Sequence, residues 1–153
     1  MLLYVWLLLA TLSVFIWISD ANRRHISNFN CVCVFVLCVV IFIHSDRYIS
    51  MLYVAPYSAA CSVLYTISTL VGGFIMNRLG IIGGGDAKLF FAFSIAIAPN
   101  YLPITIMLIA VIGGLQAMLL VFFSWSQNQL YTRGVPYGFA ICVGCLFGIA
   151  ASI

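Results

Sequence analysis

The stretch Gly83–Leu89 has the sequence GGGDAKL and lies between two long apolar runs. It places the carboxylate of Asp86 and three glycines at the start of an apolar helix, in a chain with few other charges. An ionisable residue close to the hydrocarbon of a membrane is costly to keep there and is a functional hypothesis by default. We therefore expect a partner for Asp86 elsewhere in the chain.

The composition of the chain is that of an integral membrane protein. Hydrophobic residues make up 65% of the 153 residues and charged residues only 6%, and the mean hydropathy is +1.23. A soluble domain carries roughly 25% charged residues, which it needs to cover a surface that faces water. Spans of about 20 residues allow at most about six or seven crossings and leave little chain for anything else. We predict an all-α polytopic membrane protein, with residues 1–153 as a single domain.

Apolar runs divided by short polar segments predict about six transmembrane helices in one bundle. The runs cover residues 2–19, 29–43, 49–76, 87–98, 102–125 and 135–153. The fourth run is short for a crossing. We expect its first turns to lie in a recess lined by protein, because irregular backbone at membrane depth is tolerated only there.

Basic residues are unevenly distributed between the predicted loops. The odd-numbered loops and their borders hold most of them, namely Arg23, Arg24, Arg78, Lys88 and Arg133, whereas the other face has Arg47. The positive-inside rule then places the odd-numbered loops in the cytoplasm and both termini outside. The net charge of +3 is too small to suggest nucleic-acid binding.

This topology sorts the acidic residues. The chain has three aspartates and no glutamate. Asp20 ends the first predicted helix and Asp86 begins the fourth, so both lie at the predicted cytoplasmic boundary, while Asp46 lies on the opposite face. Only Asp20 and Asp86 can meet without crossing the membrane.

An aspartate pair has a recognisable chemistry. Two carboxylates within a few ångströms of each other cannot both ionise readily, so one pKa rises and the pair shares a proton. One carboxylate can then act as a base on water while the other donates a proton to a carbonyl oxygen, as in aspartic peptidases. The glycines would let a substrate strand approach the backbone closely. The amide N–H groups at the opening of the helix would hold Asp86 or a developing oxyanion.

Other interpretations of the same residues stay open at this point. Asp86 would serve as a helix N-cap after a glycine turn, and Asp20 as a polar stop at the membrane interface. Carboxylates inside a helix bundle also serve proton or ion relays, so a small transporter or proton-conducting protein is the alternative function. Such a protein would favour ionisable residues near mid-membrane, where this sequence has only Ser, Thr and Gln116.

Three motifs resemble those of a known family. Gly83–Leu89 is similar to the G-x-G-D-x-K-L signature of type IV prepilin peptidases, which are GxGD intramembrane aspartic peptidases. The segment that begins at Asp20 resembles the first-aspartate motif of that family, and the segment 136–141 (PYGFAI), followed by Gly144, resembles its last-helix pattern. In the first-aspartate motif the matching residues are Asp20, Arg24, Ile26 and Asn28, and Ser27 stands where the family usually has Pro.

The resemblance implies a six-helix membrane aspartic endopeptidase without a cofactor. Such an enzyme removes the short basic leader from prepilin-like proteins at the cytoplasmic face of the bacterial inner membrane. Its catalytic residues would be Asp20 and Asp86. The substrate-binding or site-shaping residues would be Gly83, Gly85, Lys88, Asn28 and Tyr137.

Longer relatives carry a cytoplasmic region with paired C-x-x-C motifs that is linked to methylation of the new amino terminus. This sequence has no such region and looks like the short form associated with Flp-type tight-adherence pili, so we expect no methyltransferase activity. The expected partners are a prepilin-like substrate and the lipid bilayer, and the sequence does not indicate an oligomeric state.

Several other residues have simpler interpretations. The six cysteines lie in apolar runs without zinc-site spacing, so they predict packing and no metal site. Lys88 is two positions from Asp86 and points elsewhere on a regular helix, which favours an interfacial anchor. Tyr137 would equally be an ordinary interface aromatic. The small residues of Gly144-x-x-x-Gly148, and of two glycine pairs at 72–73 and 113–114, predict close helix packing.

Overall fold

Every secondary-structure element is a helix in the part of the chain that the structure, a computed structural model, describes: residues 2–23, 26–44, 56–80, 83–126 and 136–152. The helices are α1 (Leu2–Arg23), α2 (Asn28–His44), α3 (Pro56–Arg78), α4 (Gly84–Ser94), α5 (Leu102–Ser126) and α6 (Gly138–Ser152), with a 3-10 turn at Pro99–Tyr101. The predicted all-α class is therefore confirmed for these residues. Arg24, His25, Asp46, Arg47 and Arg133 lie outside the described residues.

Two of the described helical segments are long and apolar enough to cross a membrane, residues 2–22 and 99–125. Helices α2 and α6 are apolar but shorter. Helix α4 has 11 residues, against the roughly 20 that a crossing needs. Six crossings therefore stay a prediction.

Four helices form a central ring, in which α1 packs on α2, α2 on α4, α4 on α6, and α6 on α1. Helix α3 packs on the outside of α4, and α5 packs on the outside of α6. Contacts along the ring helices show their directions: Trp17 lies 5.0 Å from Phe139 between ring centroids, and Trp6 donates a hydrogen bond to the Leu146 carbonyl. Helices α1 and α6 are therefore antiparallel. Large side chains buried inside this ring form its core, among them Leu9, Ile16, Val34, Ile41, Leu89, Phe93 and Ile149.

Small residues allow α5 and α6 to pack closely, as the sequence predicts. A Cβ at Gly144 would collide with Ile109, and a Cβ at Gly148 would collide with the Thr105 hydroxyl. The absence of these side chains brings the two helix backbones together.

The two glycine pairs are only half explained by packing. A Cβ at Gly73 would lie 3.0 Å from the Ala87 Cβ, and one at Gly113 would lie 2.7 Å from the Tyr137 ring, whereas Gly72 and Gly114 face open space. The prediction of close packing therefore holds for one glycine of each pair.

The described cysteines are placed as packing residues. Cys31 and Cys38 of α2 and Cys142 and Cys145 of α6 are buried, and Cys33 is half-buried. All five are free thiols. They contribute small, soft side chains to the interior of the ring.

Several predicted helix boundaries differ from the structure. The first helix, predicted over residues 2–19, extends to Arg23, so Asp20 lies within it. The third and fourth helices differ as well. The sequence predicts the third helix over 49–76; the helix is described over Pro56–Arg78, and residues 49–55 lie outside the described part. It predicts the fourth over 87–98, whereas the helix is found over Gly84–Ser94, so two of the three glycines are helical. The early start has a local cause in the contacts of Asp86.

Candidate active site

The start of α4 is organised by Gly83 and Asp86. Gly83 is the N-cap, with extended backbone angles of φ −64° and ψ 141°, and its carbonyl accepts the first helical hydrogen bond from the Ala87 N–H at 3.1 Å. Asp86 lies in the first turn, and its carboxylate accepts a hydrogen bond from the Gly83 backbone. This is the back-bonding half of a capping box, which satisfies an amide that has no helical partner. The interpretation of Asp86 as the N-cap residue itself is wrong.

The carboxylate of Asp86 lies directly against Gly83. A Cβ at position 83 would be 2.9 Å from Oδ2 of Asp86, a distance at which one of the two groups has to move. Glycine at position 83 therefore leaves room for the Asp86 carboxylate in this position.

If the two aspartates cleave peptides, as the motifs imply, Gly83→Ala should lower the rate by at least about tenfold, because displacing a reacting group by a fraction of an ångström is costly to catalysis. The matched control is Gly114→Ala, a helical glycine with nothing within 4 Å of its added Cβ. The measurement is the rate of cleavage by the two purified variants at equal concentration. Equal rates would show that the position of the Asp86 carboxylate does not depend on Gly83.

Asp20 is buried near the end of α1, with 6% of its surface exposed. Its Oδ2 accepts a hydrogen bond of 3.0 Å from the backbone N–H of Gly138, the first residue of α6. A Cβ at Gly138 would lie 2.7 Å from the same oxygen. Asp20 therefore fits closely onto the amino-terminal end of α6, where the helix dipole favours a negative charge.

The segments that follow Asp20 and precede Asp86 pack on each other. Ile26, in the link between α1 and α2, is buried, with 8% of its surface exposed. It covers Gly85, because a Cβ added at Gly85 would lie 3.3 Å from the Ile26 Cβ. Nearby, the Lys88 ammonium donates a hydrogen bond of 3.1 Å to the side-chain oxygen of Asn28 and so links α4 to α2. Both aspartates lie at this end of the ring.

The electrostatics of Asp86 follow from this placement. Asp86 lies in the first turn of α4, before the predicted apolar span of residues 87–98, and its pKa is raised from 3.8 to about 6. Burial is the largest cause of this rise, the negative charge of Asp20 adds to it, and the hydrogen bond from the Gly83 backbone opposes it. The two carboxylates are thus close enough to interact, and Asp86 holds a proton to a higher pH than an ordinary aspartate.

This raised pKa makes the stability of the protein depend on pH. Folded Asp86 binds its proton more tightly than the unfolded chain does, so its contribution to stability is greatest below pH 3.8 and is lost as pH rises through about 6. We expect Asp86→Asn, which removes the ionisation, to raise the melting temperature by about 2–4 °C at pH 7. The difference should shrink toward pH 4, and thermal unfolding in detergent at both pH values measures it. A difference that is the same at both pH values would show that it does not come from the ionisation of Asp86.

Weakly polar side chains line the interior of the ring below the aspartates. Cys142 of α6 is within electrostatic range of Asp20, Asp86 and Cys31, and it is hydrogen-bonded to Ser13 of α1. Among the described residues, no three His, Cys, Asp or Glu side chains come together as a metal site requires.

Of the five residues proposed from sequence to bind substrate or shape the site, four lie around the start of α4 and one does not. Gly83, Gly85, Lys88 and Asn28 surround the start of α4. The ring of Tyr137 instead lies against Gly113 of α5.

The sequence did not single out three contacts at this end of the ring. These are the hydrogen bond from Gly138 to Asp20, the packing of Ile26 on Gly85, and the hydrogen bond from the Gln116 amide to the Pro136 carbonyl at 3.1 Å. The available signals were a glycine directly after Pro-Tyr at a helix start and one amide in an otherwise apolar helix.

A comparison with known protein families matches most of the chain to one of them. The model of the type IV leader peptidase family matches residues 6–118, which include both Asp20 and Asp86 and end before α6. Neither the curated proteins nor the solved structures give a match to this chain.

Proposed function

The chain belongs to the type IV leader peptidase family, and we propose that it is a membrane aspartic endopeptidase that removes the leader of prepilin-like proteins. Family membership supports a peptidase that acts on leader peptides. The aspartic mechanism is our inference from the site. Asp20 and Asp86 are the proposed catalytic residues.

The observation that carries this proposal is the coupling of two carboxylates from distant parts of the chain. Burial and the charge of Asp20 together raise the pKa of Asp86 to about 6. In the proposed mechanism Asp86 carries the shared proton and donates it to the scissile carbonyl oxygen, while Asp20 removes a proton from the attacking water. Each carboxylate accepts a backbone hydrogen bond, which orients it before substrate arrives.

The opening of α4 suits the charge that develops on the substrate. The first amides of a helix have no partners within the helix and point toward its amino-terminal end. Gly84 and Gly85 supply such amides beside Asp86. We propose that they donate hydrogen bonds to the scissile carbonyl oxygen while Asp86 protonates it.

The charges near the site support a cytoplasmic position. Arg23 ends α1, Arg78 ends α3, and Lys88 lies in the second turn of α4. All three belong to the end of the bundle that carries the aspartates. Asn77, next to Arg78, would lie 3.4 Å from a Cβ added at Gly84, and Lys88 donates a hydrogen bond to Asn28. By the positive-inside rule this end faces the cytoplasm.

The proposed membrane arrangement is a single domain over residues 1–153 with six crossings in the cytoplasmic membrane of a bacterium. The proposed substrate is a short prepilin of the Flp type. Its leader would be basic, and anionic headgroups of the cytoplasmic leaflet would attract it toward the site.

Co-expression with small prepilin candidates tests the function. The expected result is a truncated substrate whose new amino terminus, read by mass spectrometry, follows a basic leader. Cleavage should be absent when the peptidase is omitted. If no candidate is cleaved but vesicles that contain the protein conduct protons, the relay function replaces the peptidase.

A further inference from the structure

We propose that Gly138 is a positioning residue for Asp20, and that its amide at the start of α6 sets Asp20 as the base of the pair. This inference deepens the proposed function, since it assigns the two carboxylates different roles. Gly138 lies beyond residue 118, where the family match ends. The family match therefore does not assign it a part in the site, and its role is inferred from the geometry around Asp20.

The hydrogen bond between Gly138 and Asp20 favours the charged form of the carboxylate. The N–H of Gly138 donates to Oδ2 of Asp20 at 3.0 Å in a buried setting. Hydrogen bonds to an ionised acceptor are stronger than those between neutral groups. A backbone amide can only donate, so it stabilises the carboxylate over the neutral acid at this oxygen.

The space around this hydrogen bond admits no side chain at position 138. The added Cβ at Gly138 would lie 2.7 Å from Oδ2 of Asp20 and 3.1 Å from its Cβ and Cγ. Any other residue would therefore push the Asp20 side chain off the amide. Only glycine leaves room for a carboxylate at this helix end.

Helix α5 anchors the residues that lead into α6. The Gln116 amide of α5 donates to the Pro136 carbonyl at 3.1 Å, and the Tyr137 ring packs on Gly113 of the same helix. Contacts with α5 thus hold the two residues that precede Gly138. This fixes the direction in which the Gly138 N–H points.

The surroundings of Asp20 leave few other groups to set its charge. The described titratable or charged side chains that face the pair are Asp86 and Lys88 of α4, Cys31 of α2 and Cys142 of α6. The two thiols are buried, and the Lys88 ammonium is bonded to Asn28. Gly138 is the described hydrogen-bond donor to Asp20, and Asp86 receives its bond from Gly83 within its own helix.

Selective labelling tests the proposal without any substrate. The chain has three aspartates and no glutamate, so carboxyl-¹³C aspartate gives three signals in detergent, and Asp→Asn variants assign them. In Gly138→Ala the Asp20 signal should titrate at a pH higher by about one unit than in the wild type. Gln116→Met removes the hydrogen bond to the Pro136 carbonyl but leaves the Gly138 N–H in place. It should shift the Asp20 signal in the same direction by a smaller amount.

The control is Gly144→Ala on the same helix. Its added Cβ collides with Ile109 of α5 and not with the aspartates, so it perturbs packing without touching the Gly138 amide. The Asp20 titration should remain as in the wild type. An unchanged Asp20 midpoint in Gly138→Ala, or an equal shift in Gly144→Ala, overturns the proposal.

The same variants separate this inference from the proposed function. If the enzyme cleaves a leader, the acid limb of its pH profile should move upward in Gly138→Ala and stay in place in Gly144→Ala. If no leader is cleaved but the Asp20 midpoint moves as expected, the peptidase function fails and the positioning role of Gly138 stands.

Discussion

Asp20→Asn and Asp86→Asn are each expected to lower leader cleavage more than a hundredfold while the protein still accumulates in the membrane. Asparagine keeps the size of the side chain but neither takes a proton from water nor donates one as a carboxylic acid does. Loss of a single general acid or base typically costs about 10²- to 10⁴-fold in rate. Because the two carboxylates act as a unit, the double variant should be hardly worse than either single variant.

The third aspartate provides the matched control. Asp46 lies on the opposite predicted face and outside the described residues, so Asp46→Asn should leave cleavage within about twofold of the wild type. The measurement is the initial rate on one prepilin substrate at equal membrane protein levels. Normal leader removal by either Asp20→Asn or Asp86→Asn would refute the aspartic mechanism.

The pH dependence of cleavage is the second large effect. If Asp86 must be protonated to act as the acid, kcat/KM should fall as pH rises through about 6, the value to which its pKa is raised. Above that pH the decrease should approach tenfold per unit, because the protonated fraction falls by that factor. The interacting carboxylates titrate as a pair, so the observed midpoint belongs to both.

The cause of this fall in kcat/KM with rising pH can be checked separately from activity. In Asp20→Asn the charge that raises the Asp86 pKa is gone, so the ¹³C signal of Asp86 should titrate at a lower pH than in the wild type. It should still titrate above 3.8, because burial is the larger cause of the rise. A cleavage rate that stays level from pH 5 to pH 8 would contradict the role of Asp86 as the acid. An Asp86 midpoint unaffected by Asp20→Asn would contradict the coupling of the two carboxylates.

Much of the fold was accessible from the order of residues. Long apolar runs can only be helices in a membrane, since every backbone polar group must find its partner within the segment. Polar segments then divide the runs. The prediction is wrong at the start of α4, because glycines next to an aspartate indicate a turn, whereas the Asp86 carboxylate caps the Gly83 amide and draws Gly84 and Gly85 into the helix.

The sequence by itself determined the helical class, the motifs, and which two aspartates can share one end of the bundle. Charge bias and span order suffice for that, because they depend only on position along the chain. The tertiary structure decided what each carboxylate touches. Asp20 meets the amide of Gly138, which is distant in sequence, and Asp86 takes its raised pKa from burial and from the charge of Asp20. Such contacts depend on how α1, α4 and α6 pack around one axis, which no local pattern of residues specifies.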